Sequence, residues 1–181
     1  MKRIIMVCMA CSLILLISGA NAEWDPRDSD RQQEERAVND TINRLLTIDP
    51  TLKEYFDKAY AYAVFPTVGK GAFIGGVGYG RGWFFENGKP IGKASITQLS
   101  AGAQIGGQAY SEVIFFSDKD RSEDFKFGRY EAGAQASALA VTEGVGKAGT
   151  YSDGVAIFIM PKAGLMADLS ISGQRFDFEP F

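Results

Sequence analysis

The stretch Phe73–Phe85 reads FIGGVGYGRGWFF and runs directly into Glu86–Lys89, which reads ENGK. A glycine stands at every second position from Gly76 to Gly82. Side chains of a strand alternate between its two faces, so these glycines share one face of a predicted strand. The Asn-Gly pair that follows favours the positive φ angles of a tight hairpin turn. The stretch therefore predicts a β-hairpin with one face almost free of side chains.

The bare face between Gly76 and Gly82 requires a close neighbour, and two interpretations remain open. Another part of the protein packs tightly there or the strand coils strongly, or else a ligand or acyl chain approaches the backbone. A phosphate-binding glycine loop is disfavoured, because the alternation continues into Trp83 and no helix follows to offer its N-terminus.

The rest of the chain beyond the hairpin has the composition of short strands and turns. Ser117 and Asp120 mark the beginning of a short helix near 118–127. An α+β fold is expected, with a glycine-rich antiparallel barrel-like sheet, closed or nearly closed. Besides Phe73–Phe85, the predicted strands are 91–96, 99–107, 110–116, 133–142, 154–160, 164–171 and 174–178.

The segment 23–64 contains no glycine and is rich in charge. Val38, Ile42, Leu45 and Leu46 follow a helical period, which predicts an amphipathic helix over about 30–47. Asp49-Pro50 is typical of an N-cap and first helical residue, so a second short amphipathic helix should follow. We expect one domain over 23–181, helical over 28–60 and β-rich over 64–181.

The N-terminus has the features of a secretory signal peptide over 1–22. Lys2 and Arg3 precede an apolar run, and Ala20-Asn21-Ala22 supplies a small-residue cleavage site. Removal of Lys2 and Arg3 changes the formal net charge from −3 to about −5. The product is expected to be exported, to the periplasm or outside the cell, and peripheral to a membrane.

The residue types that remain after cleavage exclude several kinds of catalytic site. The chain has no histidine, and its two cysteines, Cys8 and Cys11, lie within the predicted leader. Imidazole bases, thiolate nucleophiles and Cys/His zinc sites are therefore excluded. Asp118 and Asp120 resemble the first ligands of a calcium loop, but Arg129 stands where the bidentate glutamate is required. No enzyme activity, cofactor or metal is predicted.

Several short motifs carry a resemblance to a known family. The motifs, in chain order, are Ala61–Pro66, Gly69-Lys70-Gly71, Gly75–Gly80, Gly102–Gly107, Gly133–Ala138 and Lys162–Leu165. Together they resemble the SYLF domain family, a lipid-binding module found in yeast and animal membrane-trafficking proteins and in exported bacterial proteins. The resemblance implies phospholipid binding over roughly Thr51 to the C-terminus and is greatest to the bacterial branch. The actin and phosphoinositide binding of some eukaryotic members is not expected of an exported bacterial-type protein.

A basic and aromatic set within the β-rich part offers a physical basis for lipid binding. Basic side chains attract anionic headgroups, and aromatic side chains anchor at the interface, so an anionic phospholipid membrane is the expected partner. The alternative for these side chains is a solvated hairpin over a core aromatic cluster. The candidate lipid-binding residues are Lys70, Arg81, Lys89, Lys93, Trp83 and Phe84.

A different class of function remains open, an envelope scaffold or oligomerising module without direct lipid binding. In that case the glycine face and the aromatic hairpin contact a protein partner in the cell envelope. Binding of lipid through basic residues should weaken with salt, whereas an apolar protein contact should not. The sequence does not determine the oligomeric state.

Overall fold

The structure is a computed structural model that describes residues 26–70, 77–99, 108–132, 138–140, 151–162 and 173–181. The predicted leader and the predicted strand at 164–171 lie outside the described residues, as do parts of the strands predicted at 73–85, 99–107 and 133–142. Within the described ranges the chain has an α+β fold, with three helices beside one eight-stranded sheet. No helix in those ranges combines the length and apolar character that crossing a bilayer requires.

The elements have the following bounds. The helices are α1 (Pro26–Ile48), α2 (Leu52–Lys58) and α3 (Lys119–Lys126). The strands are β1 (Ala61–Lys70), β2 (Val77–Glu86), β3 (Lys89–Leu99), β4 (Gln108–Phe116), β5 (Glu131–Ala132), β6 (Ala138–Ala140), β7 (Val155–Lys162) and β8 (Gln174–Pro180).

All three described helices lie where the sequence predicts helix, and local side-chain hydrogen bonds precede α2 and cap α3. The predicted first helix is confirmed, and Val38 and Leu45 are buried on its inner face. The predicted short helix is confirmed as α3, but its cap is Asp118, which lies between the predicted markers Ser117 and Asp120. The Asp118 carboxylate accepts a 3.0 Å hydrogen bond from the Arg121 amide. The predicted start of α2 was wrong by two residues, because the Asp49 carboxylate accepts from the amide and the hydroxyl of Thr51 and the helix begins after that turn.

The hairpin predicted from the Asn-Gly pair is confirmed. Asn87 and Gly88 have φ angles of 49° and 73°, and β2 and β3 pair antiparallel on either side of them. The strand order is β5-β8-β3-β2-β1-β4-β7-β6, and every pair is antiparallel except β6 with β7. The family-like segment Ala61–Lys70 was not predicted as a strand, yet it forms β1 near the middle of the sheet.

The sheet is strongly curved but open among the described residues. The Gln174 amide donates to the Glu112 carboxylate at 2.9 Å, although β8 and β4 stand four positions apart in the strand order. A flat sheet would separate such strands by about 19 Å. The expectation of a barrel-like sheet is therefore met only in part, because the sheet curls without the described strands closing it.

Both faces of the curved sheet are covered. The inner, concave face carries a core cluster that includes Phe65, Phe84 and Phe116, and Phe125 from α3 packs into it. The outer face carries a second cluster, which includes Val38 and Leu45 from α1 and Leu52 from α2. Burial on both faces explains why the strands are apolar at consecutive positions rather than alternating.

The glycine face of β2 points to the inner side, and at two positions packing explains it. A Cβ added to Gly80 would stand 2.8 Å from the Thr67 carbonyl oxygen and 2.9 Å from a methyl of Ile96. A Cβ added to Gly82 would overlap the Val64 carbonyl oxygen and stand 2.9 Å from the Phe65 ring. The packing and coiling interpretation therefore holds at Gly80 and Gly82, whereas Gly76 lies outside the described residues.

Candidate functional site

An outer-face groove of about 570 Å³ lies between α1 and the strands β1, β2, β3 and β8. Gly82, Ala94 and Phe178, which belong to the inner side of the sheet, also border it. Volumes of this size are typical of sites for small molecules. Its lining combines apolar, aromatic and charged side chains of both signs. The lining residues are Glu34, Ala37, Val38, Pro66, Thr67, Tyr79, Arg81, Gly82, Trp83, Lys93, Ala94, Ser95, Asp177, Phe178 and Glu179.

Strand alternation places the chemistry of β2 in the groove. Tyr79, Arg81 and Trp83 occupy alternate positions and share the outer face, whereas Phe84 points to the inner face. Lys93 of β3 is the register partner of Trp83 and brings a cation next to the indole. The groove therefore takes its central residues from the same hairpin that the Asn-Gly turn closes.

The floor of the groove is aromatic and is held in place by the two ends of the described chain. Trp83 is 3% exposed, and the Phe181 ring packs edge-on against it with the centroids 4.9 Å apart. The guanidinium of Arg31 stands 4.3 Å from the Phe181 centroid and 6.0 Å from that of Trp83. The indole N–H of Trp83 is buried and finds no hydrogen-bond partner among the described residues.

Arg81 and Tyr79 form an exposed pair at the mouth of the groove. The Arg81 Nε donates to the Tyr79 hydroxyl at 3.0 Å, and the guanidinium lies 5.9 Å from the ring centroid. The hydrogen bond with Tyr79 raises the pKa of Arg81, so the side chain stays fully charged. Tyr79 is half exposed, and the described ion pairs do not include Arg81. An aromatic ring and a cation thus face solvent side by side.

Lys93 differs from Arg81 because its charge is already paired. Its ammonium lies 2.6 Å from the Glu34 carboxylate of α1, and both side chains are partly exposed. Asp177 and Glu179 also line the groove, so three acidic residues accompany two basic ones. The excess of basic residues expected from the hairpin alone does not extend to the groove as a whole.

The structure brings together three of the six predicted lipid-binding residues, namely Arg81, Lys93 and Trp83. Lys89 is exposed at the beginning of β3, next to the hairpin turn, and does not line the groove. Phe84 is fully buried on the inner face, stacked on Phe125 at 5.0 Å, so it is not available at a surface.

Lys70 is the remaining predicted residue, and Tyr79 is a groove residue that the sequence analysis did not name. The backbone of Lys70 pairs with Gly78 and Gln108 at the end of β1, and its side chain lies outside the described residues. Tyr79 was missed, although its alternation with Arg81 and Trp83 along β2 was a signal for it.

A polar layer crosses the inner side of the sheet, away from the groove. The Tyr110 hydroxyl donates to Gln98 at 2.6 Å, next to the Gln174–Glu112 hydrogen bond, and all four side chains are buried. Burial raises the pKa of Tyr110 strongly, so its hydroxyl keeps its proton. In the described part of the chain, no three acidic side chains come together in the manner of a metal site.

A comparison of the chain with protein-family models and with curated proteins finds no match. The resemblance to SYLF domains therefore stays a prediction from the motifs of the sequence.

Proposed function

We propose that this protein is an exported, non-enzymatic protein that binds phospholipid membranes peripherally through the outer-face groove. The observation that carries the proposal is the exposed Arg81–Tyr79 pair at the mouth of a groove with an aromatic floor. Anionic phospholipid is the proposed partner. The resemblance to SYLF domains supports the same function independently of the groove.

The chemistry of the groove suits the interface of a membrane. Tyrosine places an apolar ring and a polar hydroxyl at headgroup level, where both environments meet. Arginine offers five N–H donors in a planar fork that fits phosphate oxygens. The hydrogen-bond partner of Arg81 is the Tyr79 phenol rather than a carboxylate, although the Glu34 charge also acts on the guanidinium.

The deeper part of the groove is suited to the apolar part of a lipid. Trp83, Val38 and Pro66 line it beneath the charged mouth. Lys93 has a lesser role in this proposal, because Glu34 already pairs with it. Arg81 is therefore the main electrostatic contact, with Tyr79 beside it as the interfacial anchor.

The test is sedimentation of the purified protein with vesicles of phosphatidylcholine alone and of phosphatidylcholine mixed with phosphatidylglycerol. Measurements at low ionic strength and at about 0.15 M, where the screening length is about 8 Å, assess the electrostatic part. A basic residue near an anionic surface contributes about 1 kcal/mol, so Arg81→Gln should weaken binding about fivefold. Tyr79→Ala should weaken it as well.

Arg129 and Phe127 provide the control, since they also form an exposed cation–aromatic pair, with the guanidinium 4.8 Å from the ring centroid. Unlike Arg81, Arg129 also pairs with the Asp124 carboxylate at 3.0 Å. Arg129→Gln changes the net charge by the same amount as Arg81→Gln but lies beside α3, away from the groove. An equal loss of binding in both variants would assign the effect to net charge alone. Absence of binding to either vesicle would contradict the proposal and favour an envelope scaffold with a protein partner.

A further inference from the structure

Two basic residues of the hairpin lie close together in the outer-face groove. Lys93 of β3 is the register partner of Trp83 in β2. Arg81, two residues before Trp83, pairs in the same way with Ser95 of β3. Arg81 and Lys93 therefore occupy diagonal positions on neighbouring antiparallel strands, at a separation of about 7–8 Å that long side chains can bridge. Both side chains line the groove, so they can surround a single anionic group.

A carboxylate of the protein itself already contacts one of these two cations. The Glu34 Oε2 atom of α1 lies 2.6 Å from the Lys93 ammonium, and this oxygen is shielded from solvent. Glu34 also lines the groove, together with Arg81. The hydrogen bond with Tyr79 is the main cause of the raised pKa of Arg81, and the charge of Glu34 is a minor cause in the same direction. Glu34 therefore holds Lys93 directly and acts on Arg81 from within the same groove.

The Glu34–Lys93 ion pair is suited to exchange with a ligand. The side chains of Glu34 and Lys93 are 29% and 42% exposed, so either can turn towards water without unpacking the core. Ion pairs that are open to solvent contribute little to stability, so the fold does not depend on this contact. Phosphate oxygens accept charge-assisted hydrogen bonds from an ammonium group as carboxylate oxygens do. A phosphate that enters the groove can therefore replace Glu34 at Lys93.

We propose that Arg81 and Lys93 form a two-cation site for one phosphate group, and that Glu34 is the internal counter-ion of this site. In the free protein the Glu34 carboxylate occupies Lys93 and leaves Arg81 as the main contact for an anion. Displacement of Glu34 makes Lys93 the second contact, so Glu34 weakens the binding of anionic ligands. Identification of the phosphate with a phospholipid headgroup rests on the proposed function. A soluble phosphate ester offers the same chemistry, and the experiment separates the two sources.

The test is a double-mutant cycle over Glu34 and Lys93, measured by sedimentation with vesicles of phosphatidylcholine and phosphatidylglycerol. Glu34→Gln should strengthen binding about fivefold, because it releases one basic side chain near an anionic surface. Lys93→Gln should weaken binding more in the Glu34→Gln background than in the wild type, by a factor of at least about two. Equal losses in the two backgrounds would show that the charges act independently, and would overturn the counter-ion role.

Two controls remove the same charge as Glu34→Gln. Glu35→Gln changes the next residue of α1, which is exposed and does not line the groove. Glu179→Gln changes a carboxylate that does line the groove and is the register partner of Lys93 on β8, whereas the described ion pair of Lys93 is with Glu34. A gain in either control equal to that of Glu34→Gln would assign the effect to net charge and overturn the proposal. Far-UV circular dichroism confirms that each variant is folded.

A soluble probe separates the counter-ion role from the proposed function. Glycerol phosphate is titrated into the isotope-labelled wild type and Glu34→Gln variant, and the Lys93 amide and the Trp83 indole are followed by NMR. Tighter, saturable binding by Glu34→Gln, with no vesicle binding by any variant, would support the site with a soluble phosphate ester as ligand and end the membrane proposal. Vesicle binding without any gain from Glu34→Gln would overturn the counter-ion role and leave the membrane proposal standing. Failure of every variant to bind either probe would overturn both.

Discussion

Substitution of Gly82 by alanine should strongly destabilise the protein, for a reason that is visible in the contacts of β2. The added Cβ would overlap the Val64 carbonyl oxygen and stand 2.8 Å from the Val64 carbonyl carbon and 2.9 Å from the Phe65 ring. A backbone carbonyl cannot rotate away as a side chain can, so β1 would have to move at the irregularity between Val64 and Thr67.

The size of the effect follows from two opposing contributions. Overpacking of a core costs about 1–3 kcal/mol and sometimes more, and the rigid neighbour places Gly82→Ala at the upper end. Alanine also restricts the unfolded chain more than glycine does, which stabilises the folded state by about 0.4–1 kcal/mol and offsets part of that cost. We therefore expect a net loss of at least about 2 kcal/mol, which lowers the Tm by roughly 4–8 °C in a chain of this size.

The assay is urea unfolding followed by tryptophan fluorescence and far-UV circular dichroism, with Gly69→Ala as the control. Gly69 also lies in a strand, but a Cβ there would meet nothing within 4 Å, so its substitution should leave stability unchanged or slightly raised. If Gly82→Ala unfolds within about 0.5 kcal/mol of Gly69→Ala, the packing explanation of the glycine face is refuted. A variant that keeps full stability but loses vesicle binding would instead indicate a ligand at that face.

Three further predictions concern the roles of Phe84 and Tyr79, the titration of two buried tyrosines and the cap of α3. Phe84→Leu should lower the free energy of unfolding by roughly 1–2 kcal/mol and leave vesicle binding unchanged, because the Phe84 ring is buried. Tyr79→Ala should weaken vesicle binding and leave the free energy of unfolding nearly unchanged, because the Tyr79 ring is half exposed. Burial raises the pKa of Tyr130 and of Tyr151 from 10.0 to about 12. The stability that these two side chains contribute is therefore complete below pH 10 and is lost as the pH rises towards 12. A titration of tyrosinate absorbance tests this, and absorbance of the folded protein that develops fully near pH 10 would contradict it. Asp118→Ala should cost about 1 kcal/mol of unfolding free energy through loss of the α3 cap, and a change below about 0.3 kcal/mol would remove that role.

Local features were predictable from the sequence because they depend on neighbours along the chain. The Asn87-Gly88 turn needs only two residues that accept positive φ. The beginning of α3 needs only a capping side chain in the predicted segment from Ser117 to Asp120, where the structure uses Asp118. The alternation of glycine along β2 likewise follows from the geometry of a single strand. The same alternation places Trp83 and Phe84 on opposite faces of β2. The predicted site included both residues, although the period of two already indicated that they cannot share a surface.

The site was only partly predictable because residues distant in the chain complete it. Glu34 of α1 pairs with Lys93, and Asp177 and Glu179 of β8 line the same groove, which removes the excess of basic residues expected near the hairpin. Lys162 meets Thr67 only because β4 lies between β1 and β7. None of these contacts has a signature in the residues on either side of it.

Composition, period and turn residues act over a few positions, so the sequence was enough to establish the type of most elements, the position of the main hairpin and the absence of histidine chemistry. The tertiary structure alone decided that β8 pairs with β3, that the sheet curls so that Gln174 meets Glu112, and that packing occupies the glycine face at Gly80 and Gly82. These arrangements depend on which strands become neighbours, and strand order is set by the burial of both faces of the whole sheet rather than by any one segment.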